Sequence, residues 1–314
     1  MAFPRKTIEE RIVSNWSKLD ISDQSGKVFV VTGANSGICY ETSLALAEKG
    51  GTVIMACRDL TRSESALATI QHKFPAAEVR LMHLDLGDLK SVQGFSEEFL
   101  KDFDQLDVLI NNAGPVVADR ILTADGFESH FGAGHLGHFA LTGYLMKLLL
   151  KTSKSRVVTV GSRMHKNAEM NWDDLMNEKS YDRAKAYSQG KLANMLFAME
   201  LGCRFAAKGS TTLSVAAHPG LAKTNWANNN MSGVMKIIAN LMSSLTYQSA
   251  EMGSLSVLYA AVSEGVKNGS YYGPKNDSKG YPVETQPADN ALNTDDAQKL
   301  WELSEKLTGV QYKL

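Results

Sequence analysis

A tyrosine and a lysine four residues apart, Tyr187 and Lys191, have the types and spacing that could do chemistry. They lie in a segment with apolar residues at helical spacing, where residues four apart share one helix face. A phenol titrates near pH ~10 in water and exchanges protons poorly at neutral pH. An adjacent ammonium favours the phenolate and lowers that pKa, which makes the tyrosine usable as a general acid or base. The spacing also occurs by chance on exposed helices, so the surrounding elements must decide its meaning.

The composition is that of an ordinary globular protein. The chain has 314 residues, 44% of them apolar and 21% charged, which suits one large α/β domain or two small ones. The net charge of −1, with no basic block, argues against electrostatic capture of nucleic acid. Cys39, Cys57 and Cys203 are widely separated and form neither a metal-ligand pair nor a disulfide pattern, which indicates a reducing compartment.

The sequence shows no signal for membrane insertion or export. Residues 1–20 carry several charges and no apolar run, so they resemble neither a signal peptide nor an anchor. No segment reaches the ~18 apolar residues that a membrane-spanning helix needs. We therefore expect a cytoplasmic protein without stable membrane insertion.

Apolar runs alternate with helical patterns along the chain. Strands are predicted over residues 27–31, 52–56, 79–83, 106–110, 156–160 and 212–216, with a last strand ending at 268–274. Helices are predicted over residues 7–15, 36–49, 61–73, 89–103, 126–150, 181–207 and 287–307. Continuous apolar strands separated by helices indicate a parallel sheet covered on both faces. We predict an N-terminal extension over residues 1–26 and a single-domain, Rossmann-type doubly wound α/β fold over residues 27–314.

Ligands of open α/β sheets bind beyond the carboxyl ends of the strands, so the strand ends locate the candidate site. The first strand leads into Thr32-Gly33-Ala34-Asn35-Ser36-Gly37-Ile38-Cys39, just before a helix. Glycines there let the backbone turn tightly and approach a pyrophosphate at the helix N-terminus. A glycine turn without any ligand is the alternative.

The second strand ends in a segment that bears on cofactor choice, Ala56-Cys57-Arg58-Asp59. NAD-binding proteins usually place an acid about 20 residues after the glycines, whereas an arginine accommodates the 2′-phosphate of NADP. Cys57 stands at the position of the acid and Arg58 follows it, which favours NADP. A solvated Arg58 next to a helix-capping Asp59 is the alternative.

The other strand ends carry small or polar residues. Asp85, in Leu84-Asp85-Leu86, could meet an adenine. Asn111-Asn112-Ala113-Gly114 could line a cofactor or simply form a turn. The fifth strand ends in Gly161-Ser162, and the sixth in His218-Pro219-Gly220, with Thr224 four residues further on.

These motifs, in this order, resemble the short-chain dehydrogenase/reductase family over about residues 27–224. Residues 56–59, 135–139 and 187–194 make the chain similar to its retinol-dehydrogenase-like and protochlorophyllide-reductase-like branch. The resemblance implies that Tyr187 exchanges a proton with the substrate oxygen, that Lys191 lowers the pKa of Tyr187 and binds the nicotinamide ribose, and that Ser162 orients that oxygen. It implies NADP(H) as the cofactor, which carries the hydride. The cofactor-binding residues it implies are Gly33, Asn35, Ser36, Gly37, Ile38, Arg58, Asp85, Leu86, Asn112, Ala113, Gly114, Tyr187, Lys191, Pro219, Gly220 and Thr224.

Two residues depart from the family pattern. Cys39 replaces the third glycine of the phosphate loop, which puts cofactor affinity in question. A redox-sensing thiol is an alternative, since a helix N-terminus lowers the pKa of a thiol. Gly134 replaces a catalytic Asn whose backbone carbonyl, in the family, helps to hold a water next to the lysine. Gly132, Gly134 and Gly137 together predict a locally loosened helix beside the site.

The substrate side is predicted to be apolar. A lid over about residues 221–247 would include a Met-rich amphipathic helix at residues 231–245, and methionine adapts to varied shapes. A helix merely packed on the core is the alternative. Residues 115–117 together with Met164 and His165 would add to the pocket, which implies a moderately large apolar carbonyl or alcohol as substrate.

Rival functions stay open at this point. One is NADPH-dependent reduction of a carbon–carbon double bond, and another is a catalytically weak NADP-binding regulatory protein, favoured by Cys39 and Gly134. His135, His138 and His165 have no carboxylate or cysteine at ligand spacing, so we interpret them as structural. The helices at residues 126–150 and 181–207 are faces that family members commonly use for dimers, so a homodimer is expected by analogy.

Overall fold

The predicted apolar runs form the strands of one sheet. The structure is a computed structural model that describes residues 15–115, 117–221 and 247–314. Within these ranges the strands are β1 (Val28–Thr32), β2 (Thr52–Cys57), β3 (Val79–His83), β4 (Val108–Asn111), β5 (Arg156–Val160), β6 (Leu213–Ala217), β7 (Tyr271–Pro274) and β8 (Pro282–Thr285). Their order is β3-β2-β1-β4-β5-β6-β7-β8, so the direction of winding reverses between β1 and β4. Ligands of doubly wound sheets bind at such a reversal.

The sheet confirms the predicted fold class with one addition. Strands β1 to β7 pair in parallel, as expected for strands joined by helical crossovers. β8 pairs antiparallel with β7, Tyr272 opposite Glu284, and was not predicted. Its sequence, Pro-Val-Glu-Thr, is short and half-polar, which is typical of an edge strand.

Helices cover both faces of the sheet. They are α1 (Gly37–Glu48), α2 (Leu60–Lys73), α3 (Leu89–Asp102), α4 (Ser129–Phe131), α5 (Gly137–Lys151), α6 (Arg183–Ala207), α7 (Ala250–Val262) and α8 (Thr294–Thr308). The apolar residues of α1, α2 and α7 pack on one face of the sheet. Those of α3, α5, α6 and α8 build the core on the other face. Acidic N-caps explain where several helices begin, for example Asp182, whose carboxylate accepts from the backbone N–H of Lys185 in the first turn of α6.

The predicted helix over residues 126–150 is interrupted. A π-helical turn, Gly132–Leu136, separates α4 from α5. Gly132 and Gly134 lie in this turn, and glycine weakens the regular helix by up to about 1 kcal/mol relative to alanine. The loosening that the glycines predict is therefore present as one wide turn beside the candidate site.

Helix α8 covers the two long helices from outside. Trp301 packs against Phe139 of α5 at 5.2 Å and stacks on Phe197 of α6 at 5.9 Å between ring centroids. The Tyr312 hydroxyl donates to the backbone carbonyl of Phe139 at 2.6 Å. Both phenylalanines are buried. A second copy of the chain could not pack on this part of α5 and α6 without displacing α8, so the dimer expected there by analogy is not supported.

Residues before the first strand also pack on the domain. The Ser17 side chain and Asp20 form a capping box at the 3₁₀ helix Lys18–Asp20, and Trp16 meets Tyr259 of α7 edge-on at 5.2 Å. The helix predicted over residues 7–15 and the substrate lid helix predicted over residues 231–245 lie outside the described residues. No helix in the described ranges is both long enough and apolar enough to cross a membrane.

Candidate active site

The hydroxyl of Thr32, at the end of β1, joins the loops at the winding reversal. Its oxygen accepts from the backbone N–H groups of Asn112 and Ala113, each at 3.0 Å. Nε2 of His138 lies 3.0 Å from the same oxygen, and Nδ1 lies 3.2 Å from the carbonyl of Gly134. Because a carbonyl only accepts, Nδ1 carries the proton and Nε2 is left as an acceptor that faces the Thr32 hydroxyl, whose single proton is shared with the carbonyl of Ile110 at 3.2 Å. Burial lowers the pKa of His138 to about 4, so this link between the cofactor-side loop and the π-helical turn is neutral at pH 7.

The loop between β1 and α1 has the geometry of an anion site. The α1 N-cap, Ser36, makes no side-chain hydrogen bond to the helix, so it leaves the first backbone N–H groups uncapped. A Cβ at Gly33 would lie 2.9 Å from the Cβ of Ala113, so only glycine permits this close approach of the two loops. The structure places the predicted residues Gly33, Asn35, Ser36, Gly37 and Ile38 together at this turn.

Cys39 is a buried packing residue. Asn112 donates from its side-chain amide to the Cys39 sulfur. Burial raises the pKa of Cys39 to about 12, so the thiol stays protonated. This burial argues against the redox alternative, which required an accessible thiolate at the helix N-terminus. The sulfur instead fills the space below the phosphate loop, 3.7 Å from where a Cβ at Gly33 would lie.

Arg58 stands exposed at the carboxyl end of β2. Cys57 before it is buried, and the carboxylate of Asp59 caps α2 by accepting from the backbone N–H of Arg62 at 3.0 Å. The predicted helix cap and the solvated arginine are thus both present. An exposed guanidinium at this strand end is the group that would meet a ribose 2′-phosphate.

The remaining predicted cofactor residues lie at the same edge of the sheet. Asp85 and Leu86 follow β3, and the Asp85 carboxylate accepts from the backbone N–H of Gly87 at 2.9 Å. Pro219 and Gly220 follow β6, where the Gln248 side chain donates to the Pro219 carbonyl at 2.6 Å. Thr224 lies outside the described residues.

The predicted catalytic residues come from β5 and α6. Tyr187 and Lys191 share one face of α6, with the Lys191 ammonium 5.8 Å from the centre of the Tyr187 ring. Lys191 is buried, and its Nζ donates to the carbonyl of Val160 at 3.2 Å. Ser162 comes two residues after Val160, and its hydroxyl oxygen accepts from the backbone N–H of Met164 at 3.2 Å. This bond occupies an acceptor position and leaves the hydroxyl proton of Ser162 available.

The histidines interpreted as structural are buried and bonded. Nε2 of His135 lies 2.9 Å from the Ser304 hydroxyl, and burial lowers the pKa of His135 to about 3. Nδ1 of His165 lies 2.6 Å from the Ser162 carbonyl. His165 was expected to line the substrate pocket, and that expectation is wrong, because the ring is fully buried beneath Ser162. Met164 is 44% exposed, as a pocket residue can be.

The sequence did not single out His130, which lies beside Tyr187. Its ring meets the Tyr187 ring edge-on, 5.9 Å between centroids. Nδ1 of His130 lies 2.8 Å from a carboxylate oxygen of the buried Glu128. The spacing of Glu128 and His130, two residues apart in the helix predicted over residues 126–150, gave no signal, because such residues do not face each other on a regular helix.

The site fits a dinucleotide cofactor. The uncapped N-terminus of α1 suits a pyrophosphate, and the exposed Arg58 suits an additional phosphate. At Gly114 the loop faces open space towards Lys191, because a Cβ there would meet the Lys191 ammonium, at 3.6 Å, as its nearest described neighbour. Together with the Tyr–Lys pair, this arrangement on a doubly wound sheet defines a nicotinamide-dependent oxidoreductase.

Comparison with known proteins gives the family. Residues 27–234 match the family described as short chain dehydrogenase, and the chain belongs to it. Human retinol dehydrogenase 12 is 39% identical over 290 residues, which are 92% of this chain and 88% of that protein. A crystal structure of an uncharacterized protein from Mycobacterium paratuberculosis has a TM-score of 0.81 at 37% identity, covering 96% of this chain and 100% of that chain. RhlG of Pseudomonas aeruginosa, solved with NADP, shares the fold, with a TM-score of 0.64 at 19% identity over 80% of this chain and 95% of that chain.

The family and the retinol-dehydrogenase-like branch predicted from the motifs are therefore confirmed. The chain is an NAD(P)-dependent oxidoreductase of alcohols and carbonyls. The roles of individual residues stay predictions.

Proposed function

We propose that this enzyme uses NADP(H) to interconvert an alcohol and an aldehyde or ketone on a moderately large, apolar, retinoid-like substrate. The observation that carries the proposal is the buried Lys191, held against Val160 on the same helix face as Tyr187. Identity of 39% to a retinol dehydrogenase supports the substrate class.

The cofactor is assigned to the carboxyl edge of the sheet. The first N–H groups of α1 would hold the pyrophosphate, and Arg58 would pair with the 2′-phosphate that distinguishes NADP from NAD. The loop from Asn112 to Gly114 would line the nicotinamide half. When bound, NADP(H) supplies or accepts the hydride.

The protein's own residues handle the proton. In reduction, Tyr187 donates its phenolic proton to the substrate oxygen, and in oxidation it takes that proton back. The Lys191 ammonium stabilises the phenolate that forms. The Ser162 hydroxyl donates a hydrogen bond to the substrate oxygen and orients it.

We also propose that the protein works in the cytoplasm and does not dimerise through α5 and α6. Cys39, Cys57 and Cys203 are free thiols in the structure, which supports the reducing environment of the cytoplasm. A homodimer through α5 and α6 would have to displace α8, so any dimer would use another surface.

The test is turnover of NADPH with a panel of apolar aldehydes and ketones that includes retinal, with NADH in parallel. Tyr187→Phe should lower kcat/KM by about a hundredfold or more while calorimetry finds the Kd for NADP⁺ within about threefold of wild type. Tyr144→Phe, on α5, is the matched control and should keep full activity. Equal rates in wild type and Tyr187→Phe would contradict the mechanism.

Two outcomes would point to the rivals instead. A product with the carbonyl intact and a carbon–carbon double bond saturated would identify a double-bond reductase. NADP⁺ binding without turnover of any member of the panel would identify a regulatory protein.

A further inference from the structure

The turn between β7 and β8 lies at the carboxyl edge of the sheet, the edge that carries the candidate site. β7 ends at Pro274 and β8 begins at Pro282, so residues 275–281 form the turn. Asp277, in the middle of it, has a left-handed backbone with a φ of 59°. A residue with a side chain adopts that conformation only where its surroundings hold it there. The contacts of the Asp277 carboxylate show what holds it.

On one side, the Asp277 carboxylate binds the segment that follows the proposed catalytic serine. Nζ of Lys166, in the 3₁₀ helix Arg163–Asn167, donates to Oδ1 at 2.7 Å, and Nε of Arg163 lies 3.8 Å from Oδ2. Burial alone would raise the pKa of Asp277, but the hydrogen bond from Lys166 holds it below its ordinary value, so the group is a carboxylate. Because residues three apart share one face of a 3₁₀ helix, the two cations fix the rotation of this helix as well as its position.

On the other side, the same carboxylate faces the loop that follows β6. Nδ1 of His218 accepts from the backbone N–H of Gly220 at 3.3 Å, so the neutral ring carries its proton on Nε2, which lies 3.7 Å from Oδ1 of Asp277. Burial lowers the pKa of His218 to about 4, so the ring is neutral at pH 7. A Cβ at Gly273 would overlap Nε2, so only glycine at this position of β7 admits the ring.

The backbone of the turn is bonded to the loop after β6 as well. The Leu221 N–H donates to the Ser278 carbonyl at 2.9 Å. The Gly280 N–H donates to Oε1 of Gln248 at 3.2 Å, and Nε2 of Gln248 donates to the Pro219 carbonyl at 2.6 Å. The turn is therefore joined both to the serine side and to the cofactor side of the candidate site.

We propose that Asp277 is a positioning residue that holds the 3₁₀ helix Arg163–Asn167 at a fixed distance from the Pro219–Gly220 loop. This inference rests on the proposed function, in which Ser162 orients the substrate oxygen and the loop contacts the cofactor. The distance between these two parts sets how closely the reacting carbon of the substrate approaches the hydride. A misplacement of about 1 Å can cost roughly a hundredfold in rate, so a carboxylate that touches neither substrate nor cofactor can control kcat.

Removal of the Asp277 side chain tests the proposal against a matched control. Asp277→Gly keeps the left-handed backbone and removes the carboxylate. It should lower kcat about tenfold while the Kd for NADP⁺ stays within about threefold, since α1 and Arg58 hold the phosphates. Lys154→Gly makes the same kind of change at an exposed left-handed position, with a φ of 57°, at the opposite edge of the sheet before β5. It should leave both quantities unchanged.

A single turnover of enzyme-bound NADPH separates positioning from lost stability. Misplacement lowers the rate constant for NADPH oxidation, whereas partial unfolding lowers only the amplitude. The rate constant should fall about tenfold in Asp277→Gly and in Lys166→Met, and the double variant should lose little more than either, because both changes remove one contact. An unchanged rate constant, or losses that multiply in the double variant, would overturn the inference.

Hydrogen exchange tests the same contact without turnover. The backbone N–H groups of Met164 and His165 donate to the hydroxyl and the carbonyl of Ser162. Both amides should exchange about tenfold faster or more in Asp277→Gly, while the amides of α8 keep their rates. Unchanged exchange at Met164 and His165 would overturn the inference. Wild-type protein that turns over no substrate of the panel would instead refute the proposed function, and the exchange rates would still decide whether Asp277 holds this helix.

Discussion

Nδ1 of His165 donates a hydrogen bond of 2.6 Å to the backbone carbonyl of Ser162. Because the carbonyl only accepts, Nε2 of the neutral ring is left to accept from the backbone N–H of Ala288, 3.3 Å away. The Asn290 amide donates to the carbonyls of His165 and Ala168, both at 2.7 Å. The segment before α8 thus clamps the 3₁₀ helix Arg163–Asn167, whose N-cap is the proposed catalytic Ser162.

Asn290→Ala should loosen this clamp. The Ala168 carbonyl loses the Asn290 donor, and the His165 carbonyl keeps only the backbone N–H of Ala168 at 3.1 Å, so the free energy of unfolding should fall by about 1–3 kcal/mol. Ser162 should be held less well, and kcat should fall roughly tenfold. Denaturant unfolding and steady-state kinetics measure the two effects, with Gln298→Ala on the exposed side of α8 as control. Lower stability with unchanged kcat would show that the clamp does not position Ser162.

Gly134→Asn should leave the rate within about threefold of wild type. A Cβ at Gly134 would have Pro115 as its nearest neighbour, at 3.9 Å, so the new side chain has room to begin. The Gly134 carbonyl is already held by Nδ1 of His138, and the substitution keeps that carbonyl. Stability should rise by a few tenths of a kcal/mol from helix propensity. A gain of tenfold or more in kcat would show that glycine weakens the enzyme.

Arg58→Ala should weaken NADP⁺ binding and spare NAD⁺. The guanidinium of Arg58 is exposed. Under the proposed function it pairs with the 2′-phosphate, and a charge-assisted contact of this kind is worth about 1.5–3 kcal/mol. The Kd for NADP⁺ should therefore rise roughly tenfold to a hundredfold in calorimetry. Arg80→Ala, on the second residue of β3 and away from the carboxyl edge, is the control. Equal weakening of both cofactors would argue for a role in the pyrophosphate site instead.

Acid should destabilise the fold through its buried histidines. Burial lowers the pKa of His135 to about 3 and those of His138 and His218 to about 4, from an ordinary 6.5. Between these values the unfolded chain binds more protons, so the free energy of unfolding falls as pH falls from 6.5 towards 4. Each histidine contributes a slope of about 1.4 kcal/mol per pH unit.

Removing one titrating ring tests this assignment. His135→Leu replaces the titrating ring with an apolar side chain. The free energy of unfolding should then depend on pH less steeply, by the contribution of about one proton, as measured by denaturant unfolding at several pH values. His72→Asn, at an exposed position of α2, should leave the slope unchanged. An unchanged slope in His135→Leu would mean that His135 is charged in the folded state.

The covered faces of α5 and α6 predict the assembly state. We expect sedimentation at the mass of one chain, 34.2 kDa, since Trp301 and Tyr312 occupy the surface that a partner would use. If a dimer sediments, hydrogen exchange should place the protected surface elsewhere. Protection of the outer face of α6 on dimerisation would contradict this.

Sequence reasoning found what depends on local pattern. Apolar runs located β1 to β6 within two residues at either end. Motif spacing singled out Ser162, Tyr187 and Lys191, whose catalytic roles stay predictions. It missed β8, whose pairing partner gives it its conformation, because Pro282–Thr285 has no apolar alternation. It missed His130, because only the packing of α4 on α6 brings that ring to Tyr187. Gly132 and Gly134 predicted a weakened helix but could not specify a π-helical turn, which also depends on the His138 contact.

The aromatic contact over α5 has a consequence for how the protein is made. Tyr312 is 173 positions from Phe139 in sequence, yet it holds the backbone of that helix. A ribosome adding about 5–20 residues per second needs roughly 10–35 s to synthesise the intervening chain. During that interval the nascent protein carries its proposed catalytic helices with an uncovered aromatic surface, and transiently exposed apolar surface of this kind is prone to aggregation before synthesis is complete.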